Sequence, residues 1–328
     1  MRIETGKIKT YCRLILIAVI AFSTLSCIRN ADSGHPASDI RLALMVKRAD
    51  NNWYQLLIKG FETRCRELDV QYLILDNRMD SNLTLSDIDT LISRKVNGVA
   101  IAIPEQKMSW IIVNRIFEAG LPVVSLNYKL IDKQDRQVAP HIGIDYIKAG
   151  IAAGHWIAER IREKNILTDP SISFGIADLY SKSVLEIQQW SENVKTALLK
   201  DIPALNSDRF YRINSPVNDA AGAMITMQRL LSEHPNITYW IIYAGSSDEI
   251  NGALLALGQV GMEKYSLSLS IEARTTGNNS LPETNPNRAV ILVDTYNQGL
   301  KAAELLYRNA KGKVAIPSRT YSSYRLMK

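Results

Sequence analysis

The sequence predicts an α/β protein with two doubly wound parallel-sheet domains joined by a three-strand hinge. Short apolar runs rich in β-branched residues alternate with amphipathic stretches from Ile40 onward, the pattern of parallel sheets covered by helices on both faces. About eleven or twelve such runs occur, roughly twice what one open sheet of this type uses. Because no low-complexity linker separates the halves, we expect crossing strands to join them, with a cleft between.

The first set of elements opens with the run RLALMV and closes with the run APHIGI, and Gly120 is predicted to cap one of its helices. The predicted strands of this set are 41–46, 70–75, 96–103, 121–126 and 139–144, and the predicted helices are 52–68, 86–95 and 107–120.

The second set repeats the same alternation, beginning with a helix where the first set ends. Its predicted strands are 171–177, 210–213, 238–244, 267–271, 289–294 and 319–324, and its predicted helices are 146–164, 183–199, 217–233, 248–260 and 296–310. Right-handed crossovers between parallel strands follow from this order.

The N-terminal segment, residues 1–27, has the composition of an export signal. A basic stretch precedes the uncharged run Leu14–Leu25, which is short for a membrane span of about 20 residues. The run ends in Thr24-Leu25-Ser26-Cys27, close to a bacterial lipobox but with threonine at the usual leucine position. We therefore predict lipidation at Cys27, with plain cleavage and an uncleaved anchor as alternatives. Residues 28–39 are interpreted as a polar tether.

The charge and the cysteine content argue against a nucleic-acid-binding protein and against a fold held together by disulfides. The net charge of +6 falls to about +3 without the export signal, and no run of more than two Lys or Arg residues supports nucleic-acid binding. Cys65 lies within a predicted helix and is interpreted as a small buried residue. A disulfide framework is therefore not expected.

Four motifs, in the order and at the spacing of one known family, carry a resemblance to it. They are LALMVKRADNNWYQ, the pair KVNGVAIAIPEQ and AGLPVVSLNYKL, PHIGIDYIKAGIAAG, and HPNITYWIIYAGSSDEINGALLALGQVG. Residues 40–328 thereby resemble the type I periplasmic sugar-binding proteins, the group that contains arabinose-, ribose- and autoinducer-binding proteins. The resemblance implies a periplasmic-binding-protein-like fold with a ligand between two lobes.

The expected lobes follow from this fold. The N-terminal lobe is predicted to comprise 40–145 plus 294–319, and the C-terminal lobe 146–293 plus 320–328. The chain is expected to cross between them near Ile144–Tyr146, near Val293–Thr295 and near Thr320. Ligands of such sheets collect at the carboxyl ends of the strands.

Some expected family residues are absent. The arginine that the family usually places near 185–190 is missing from LEIQQW, and the usual Asn-Asp pair appears as Ser246-Ser247 or Ser247-Asp248. The usual aspartate after the next strand appears as Glu272, and a frequent glutamine appears as Val293, beside Asp294. Polar character is kept while residue identities differ, so a sugar is predicted but not which sugar.

A sugar site needs an aromatic plate for the C–H face and polar groups for the hydroxyl rim. Trp53, which lies in the loop after the first strand, is predicted to be the plate; the alternative is a hydrophobic staple onto its own helix. Lys47 would donate to a sugar oxygen or remain solvated. Asn51 would bind ligand or cap the helix. Asn127 ends a buried strand and completes the first-lobe candidates.

The acidic candidates lie at strand ends or helix starts. Asp145 would accept hydroxyls or hold the hinge backbone, and Asp248 beside Ser247 would contact ligand or cap a helix. Glu272 and Asp294 complete this set, because buried carboxylates require hydrogen-bond partners that a polyol can supply. Glu105 and Tyr180 are weaker candidates.

Catalytic and metal motifs are not found. The sequence has no GxGxxG, P-loop, HExxH, CxxC pair or GxSxG, and its four histidines share no ligand spacing. His155 is interpreted as a helix-packing residue. We therefore expect no enzyme activity, no cofactor and no metal.

The function predicted from the sequence is that of an exported solute-binding protein in the periplasm or cell envelope. It would bind a monosaccharide or similar small polyol, act as a monomer, touch the membrane only through its lipid anchor and present its closed form to an ABC permease. The alternative is a sensor subunit that signals to a histidine kinase or chemoreceptor. A repressor would need an N-terminal helix-turn-helix, and a cell-envelope enzyme would turn its sugar over.

Overall fold

The structure is a computed structural model that describes residues 38–214, 219–274, 285–312 and 314–328. The predicted export signal with Cys27, and residues 28–37 of the predicted tether, lie outside the described residues. Lipidation, plain cleavage and an uncleaved anchor therefore all stay predictions.

Twelve strands form two six-stranded sheets. The first sheet contains β1 (Ser38–Val46), β2 (Val70–Asp76), β3 (Gly98–Ile101), β4 (Val123–Leu126) and β5 (His141–Gly143). The second contains β6 (Phe174–Tyr180), β7 (Phe210–Asn214), β8 (Tyr239–Ala244), β9 (Ser266–Ala273) and β10 (Arg288–Val293). The last two strands, β11 (Arg319–Tyr321) and β12 (Tyr324–Met327), complete the first and second sheets respectively.

Eight α-helices cover the sheets in the described residues. They are α1 (Asn52–Glu67), α2 (Ser81–Ser93), α3 (Ser109–Glu118), α4 (Tyr146–Glu163), α5 (Leu185–Asp201), α6 (Ala220–Glu233), α7 (Ser247–Gln259) and α8 (Thr295–Gly312). Short 3-10 turns lie at Gln106–Met108, Ser207–Arg209 and Glu263–Tyr265.

The strand order confirms the predicted fold class. The sheets read β11-β5-β4-β3-β1-β2 and β12-β10-β9-β8-β6-β7, and every pair is parallel except β10 with β12. Strands β3, β4 and β8 are buried at every residue, which explains why they appear in the sequence as continuous apolar runs. We call each sheet with its helices a lobe.

The chain passes from one lobe to the other between β5 and α4, between β10 and α8, and between β11 and β12. These passages lie side by side, because Ser322 N–H donates to Gly143 O (2.8 Å) and Asp294 N–H donates to Ser323 O (3.2 Å). We propose that they form the hinge. The lobe bounds stay predictions, and the one placed between residues 319 and 320 falls inside β11, which pairs with β5 as far as Tyr321.

Helix starts differ from the sequence expectation where a polar cap precedes the apolar pattern. The helix predicted from residue 86 begins at Ser81, because the Asp80 carboxylate accepts the N–H groups of Asn82 and Leu83. The helix predicted from 217 begins at Ala220, capped by Asp219. The single strand predicted at 319–324 is two strands in different sheets.

Helices α1 and α8 pack tightly on the first sheet because glycines face each other's backbone. An ideal Cβ on Gly60 would lie 2.0 Å from Tyr296 O, and one on Gly299 would lie 2.1 Å from Leu57 O. The two helices therefore approach more closely than any side chain allows, and α8 is fixed beside the hinge passage that precedes it.

We predict that Gly60→Ala lowers the free energy of unfolding by about 1–3 kcal/mol, because the added methyl must push the two helices apart. Gly258→Ala in α7 is the control, since the nearest atom to its Cβ is a flexible carboxylate oxygen at 3.6 Å. The control should be neutral or slightly stabilising. Equal denaturation midpoints for Gly60→Ala and the parent protein would show that the helix contact is looser than described.

Candidate ligand-binding cleft

The first-lobe wall of the cleft is an aromatic cluster built on the loops after β1 and β4. Trp53 Nε1–H donates to Asn127 Oδ1 (2.9 Å), and Asn127 Nδ2–H donates to the Tyr54 hydroxyl (3.2 Å). Trp53 packs against the apolar cores of both lobes, and Tyr128 packs against that of the second lobe. The indole therefore lies at the boundary between lobes, where the sequence predicts the plate.

Asn127 holds this cluster through an unusual backbone conformation. Its φ is +66°, in the left-handed region that asparagine tolerates better than most residues. The residue is 5% exposed and both polar atoms of its amide are engaged by Trp53 and Tyr54. Asn127 orients the aromatic wall, and its direct contact with a ligand stays a prediction.

Lys47 lies beside the same wall. Its Nζ is 5.0 Å from the centre of the Tyr128 ring, a cation–π arrangement. Burial and, to a smaller extent, the nearby positive charge of Arg48 lower the pKa of Lys47 to about 8. Donation from Lys47 to a ligand oxygen would compensate the ammonium for lost hydration, and this contact stays a prediction.

The second-lobe wall contains a buried carboxylic acid that the sequence analysis did not identify. Glu249 in the first turn of α7 is 3% exposed. Its Oε2 accepts a hydrogen bond from the Ser246 hydroxyl (2.9 Å), while its Oε1 is buried without a partner among the described residues. Burial raises the pKa of Glu249 to about 7, with the charge of Asp248 adding to the effect.

The charge of Glu249 reaches the aromatic wall of the other lobe. Burial raises the pKa of Tyr128 most, and negative charge from Glu186 and Glu249 of the second lobe raises it further. The acid and the phenol therefore lie within electrostatic range of each other across the lobe boundary. No sequence signal distinguishes Glu249 from an ordinary acidic residue in a helix first turn.

A second buried acid lies deeper in the same lobe. Asp178 Oδ2 accepts from the Ser191 hydroxyl (2.5 Å) and pairs with Arg212 Nε (3.3 Å). Its Oδ1 and the hydroxyl of Tyr243, on the neighbouring strand, are both buried, and the two side chains lie close enough to perturb each other's pKa. Burial raises the pKa of Asp178 to about 6. The Arg212 guanidinium also stacks 4.2 Å from the ring of Tyr180, one of the weaker sequence candidates.

Three predicted site residues act as helix caps. Asn51 Oδ1 accepts the Trp53 N–H (2.9 Å), Asp145 Oδ1 accepts the Lys148 N–H (3.1 Å), and Asp294 Oδ1 accepts the Asn297 N–H (3.1 Å). For Asn51 and Asp145 these contacts correspond to the cap and hinge alternatives in the sequence analysis, whereas a cap role for Asp294 was not predicted. Asp145 and Asp294 also sit at two hinge passages, and ligand contact by any of the three stays a prediction.

Of the other predicted acids, Glu272 forms an ion pair within its lobe and Asp248 does not. Glu272 Oε1 accepts from Ser270 (3.0 Å) and pairs with Arg288 (3.1 Å) within the second lobe. Asp248 and Ser247 lie partly buried in the first turn of α7, where Ser246 and not Asp248 is the cap. Among the described residues Asp248 has no side-chain partner, unlike Glu272, and ligand contact by either stays a prediction. Glu105 is exposed and makes no side-chain cap contact.

A direct hydrogen-bonded contact between the lobes involves Gln106 and Glu186. Gln106 Nε2–H donates to Glu186 Oε2 (2.9 Å), and Lys129 N–H donates to Glu186 Oε1 (2.9 Å). Glu186 lies in LEIQQW, the stretch from which the expected arginine is missing. The missing arginine is visible in the sequence, whereas the burial of Glu186 in this stretch is visible only in the structure.

The remaining features do not indicate another chemistry. Within the described ranges, no group of three His, Cys, Asp or Glu side chains is placed to hold a metal ion. In the same ranges, no helix is long and apolar enough to cross a membrane. Two surface cavities of about 320 and 510 Å³ lie outside the cleft, one beside the hinge at Ser322 and one between α1 and β2.

Comparison with known proteins identifies one family. The sequence model described as the periplasmic binding protein domain matches residues 42–314. The ABC transporter L-arabinose-binding periplasmic protein of Azospirillum brasilense is 18% identical over 254 residues, 77% of this chain and 74% of that protein. The L-arabinose-binding periplasmic protein of Escherichia coli (strain K12) is 19% identical over 291 residues, 87% of this chain and 86% of that protein.

A solved structure shows the same fold. An ABC transporter solute-binding protein from Bacillus halodurans C-125, with bound myo-inositol, superposes with a TM-score of 0.70 at 17% identity. The match covers 90% of this chain and 96% of that one. Its two-lobed architecture agrees with the fold class predicted from the sequence.

We predict that the free energy of unfolding falls between about pH 4.5 and pH 7 through Glu249. In this window the unfolded carboxyl is ionised while the folded one keeps its proton, so the native state binds more protons and loses stability as pH rises. Glu249→Gln should remove this loss. Between pH 4 and pH 8, the difference in unfolding free energy between Glu249→Gln and the parent should therefore shift by about 3 kcal/mol in favour of the variant.

The control for this titration is Asp248→Asn, which changes the adjacent, less buried acid. Chemical denaturation of the three proteins from pH 4 to pH 8 measures the effect. An unchanged pH slope in Glu249→Gln would mean that the carboxylate is hydrated and not buried as described.

Proposed function

The chain belongs to the periplasmic binding protein family, and on this basis we propose that it binds a monosaccharide or similar small polyol between its lobes. Enzymatic turnover forms no part of the proposal, since the relatives compared are named as binding proteins. The ligand would lie between the aromatic wall of Trp53 and Tyr128 and the acidic wall at Glu249.

The observation that carries this proposal is the unpartnered oxygen of Glu249. A buried carboxyl oxygen without a partner is costly, whereas a polyol hydroxyl can donate to it or, when Glu249 is protonated, accept from it. The facing wall offers the indole of Trp53 and the phenol of Tyr128, on which an apolar C–H face can stack. A polyol has both surfaces, hydroxyl donors and C–H groups, in one small molecule.

The relatives support the same ligand class. The two curated relatives carry L-arabinose in their names, and the superposed structure contains myo-inositol. Both ligands, L-arabinose and myo-inositol, are small, neutral and rich in hydroxyls. Their common chemistry, and not the identity of one sugar, is transferred to this chain.

For the partner, we propose an ABC permease in the cytoplasmic membrane, which would receive the closed form. One relative is named as part of an ABC transporter, and the superposed protein is an ABC transporter solute-binding protein. A sensor kinase or chemoreceptor is the alternative recipient. In either case we propose a periplasmic or cell-envelope location, a monomer, and attachment through a lipid on Cys27.

The ligand class is tested by isothermal titration calorimetry of the full-length protein against pentoses, hexoses and inositols, with amino acids and dicarboxylates as comparison ligands. We expect saturable binding of one ligand per chain within the sugar and inositol group. Binding only to an amino acid or a dicarboxylate would contradict the proposal.

We predict that Trp53→Ala weakens binding of that ligand by about 1–3 kcal/mol, roughly 5- to 150-fold, because one aromatic face is lost. The matched control is Trp110→Ala, which removes a partly exposed tryptophan on the outer surface of α3. The thermal midpoint of each unliganded variant must be measured beside its affinity. If Trp53→Ala keeps its affinity but melts earlier, the indole is a structural staple and not the plate.

A further inference from the structure

The contact between Gln106 and Glu186 uses every polar atom of both side chain ends. Besides its bond to Glu186, Gln106 Nε2–H donates to Lys129 O (3.1 Å), and Gln106 Oε1 accepts the Leu185 N–H (2.8 Å). The Glu186 carboxylate accepts from Gln106 and from the Lys129 N–H, and the Lys129 ammonium lies 3.7 Å from Glu186 Oε1. Three of these hydrogen bonds, and the ion pair, cross from one lobe to the other.

The contact is buried. Gln106 is 2% exposed and Glu186 is 1% exposed. A carboxylate is stable in such a place only if donors and positive charge replace its lost hydration. Here the first lobe supplies two N–H groups and an ammonium. Because the protein alone satisfies these groups, this part of the lobe boundary needs no ligand in order to close.

Glu249 differs from Glu186 in this respect. Both acids belong to the second lobe and both are buried. Both carboxylate oxygens of Glu186 have hydrogen-bond partners, whereas one oxygen of Glu249 has none among the described residues. The lobe boundary therefore contains one acid that the opposite lobe satisfies and one that it does not.

We propose that Gln106 and Glu186 form an interlobe clasp, which holds the lobes together when no ligand is bound and excludes the ligand from that part of the cleft. A ligand then reaches the aromatic wall only when the clasp opens.

Two backbone amides report on the clasp directly. Leu185 N–H, at the start of α5, donates to Gln106, and Lys129 N–H donates to Glu186. Each amide thus has its acceptor on the opposite lobe. When the lobes separate, both amides lose their acceptors and exchange with solvent, so their protection measures the ratio of clasped to open molecules.

The test is hydrogen–deuterium exchange of the full-length protein, resolved to single amides by fragmentation mass spectrometry. The sample is first dialysed until no bound small molecule is detected. We expect both amides to be protected in the ligand-free parent protein. Glu186→Ala should lower the protection of Leu185 by about 10-fold or more, although the acceptor of Leu185 on Gln106 is intact.

Gln106→Ala is the reciprocal variant. It leaves the acceptor of Lys129 on Glu186 intact, and it should nevertheless lower the protection of Lys129 by a similar factor. Gln189→Ala, an exposed change on the same helix, is the control and should alter neither amide. Circular dichroism melts of all variants verify that they are folded.

Two results would overturn the clasp. Unprotected amides at Leu185 and Lys129 in the ligand-free parent protein would show that the lobes stay apart without ligand. The second result is that Glu186→Ala exposes only the Lys129 amide and Gln106→Ala exposes only the Leu185 amide. Each hydrogen bond would then be local, and neither would hold the lobes together. Neither result bears on sugar binding, which calorimetry tests separately.

Discussion

A buried carboxylate must be matched by hydrogen-bond donors or by positive charge, and this constraint organises the boundary between the two lobes. Glu186 is matched by Gln106 and by the backbone and ammonium of Lys129, all from the opposite lobe. Glu249 is matched only in part, by Ser246 of its own lobe. The first acid joins the lobes directly, and the second keeps one oxygen without a partner among the described residues, where we propose that a ligand hydroxyl binds.

The aromatic wall is positioned by the hydrogen-bonding needs of buried uncharged groups, the indole N–H of Trp53 and the amide of Asn127. The amide of Asn127 satisfies the indole N–H of Trp53 and donates to Tyr54, and a left-handed backbone conformation allows the asparagine to reach both. The plate proposed for the sugar is therefore fixed before any ligand arrives. Fixed aromatic faces reduce the ordering cost of binding, which favours a small rigid ligand.

Periodicity was sufficient to predict the two sheets, because buried parallel strands are continuous apolar runs and their parallel direction follows from alternation with helices. Site residues were harder to predict. An aspartate at the start of a helix is compatible with both a cap and a ligand contact, and Asp145 and Asp294 are caps in the structure. Glu186 and Glu249 lie in amphipathic helices among other polar residues, and only the packing of the opposite lobe reveals that they are buried.

The most direct measurement of the central claim is a crystal structure of the protein grown with the sugar or inositol that binds it. The account predicts a ring against Trp53 and a ligand hydroxyl at hydrogen-bond distance, about 2.5–3.0 Å, from the free oxygen of Glu249. A ligand bound elsewhere, such as in the cavity beside the hinge, would contradict it. So would a Glu249 carboxylate that finds its missing donor within the protein while the ligand lies between the lobes.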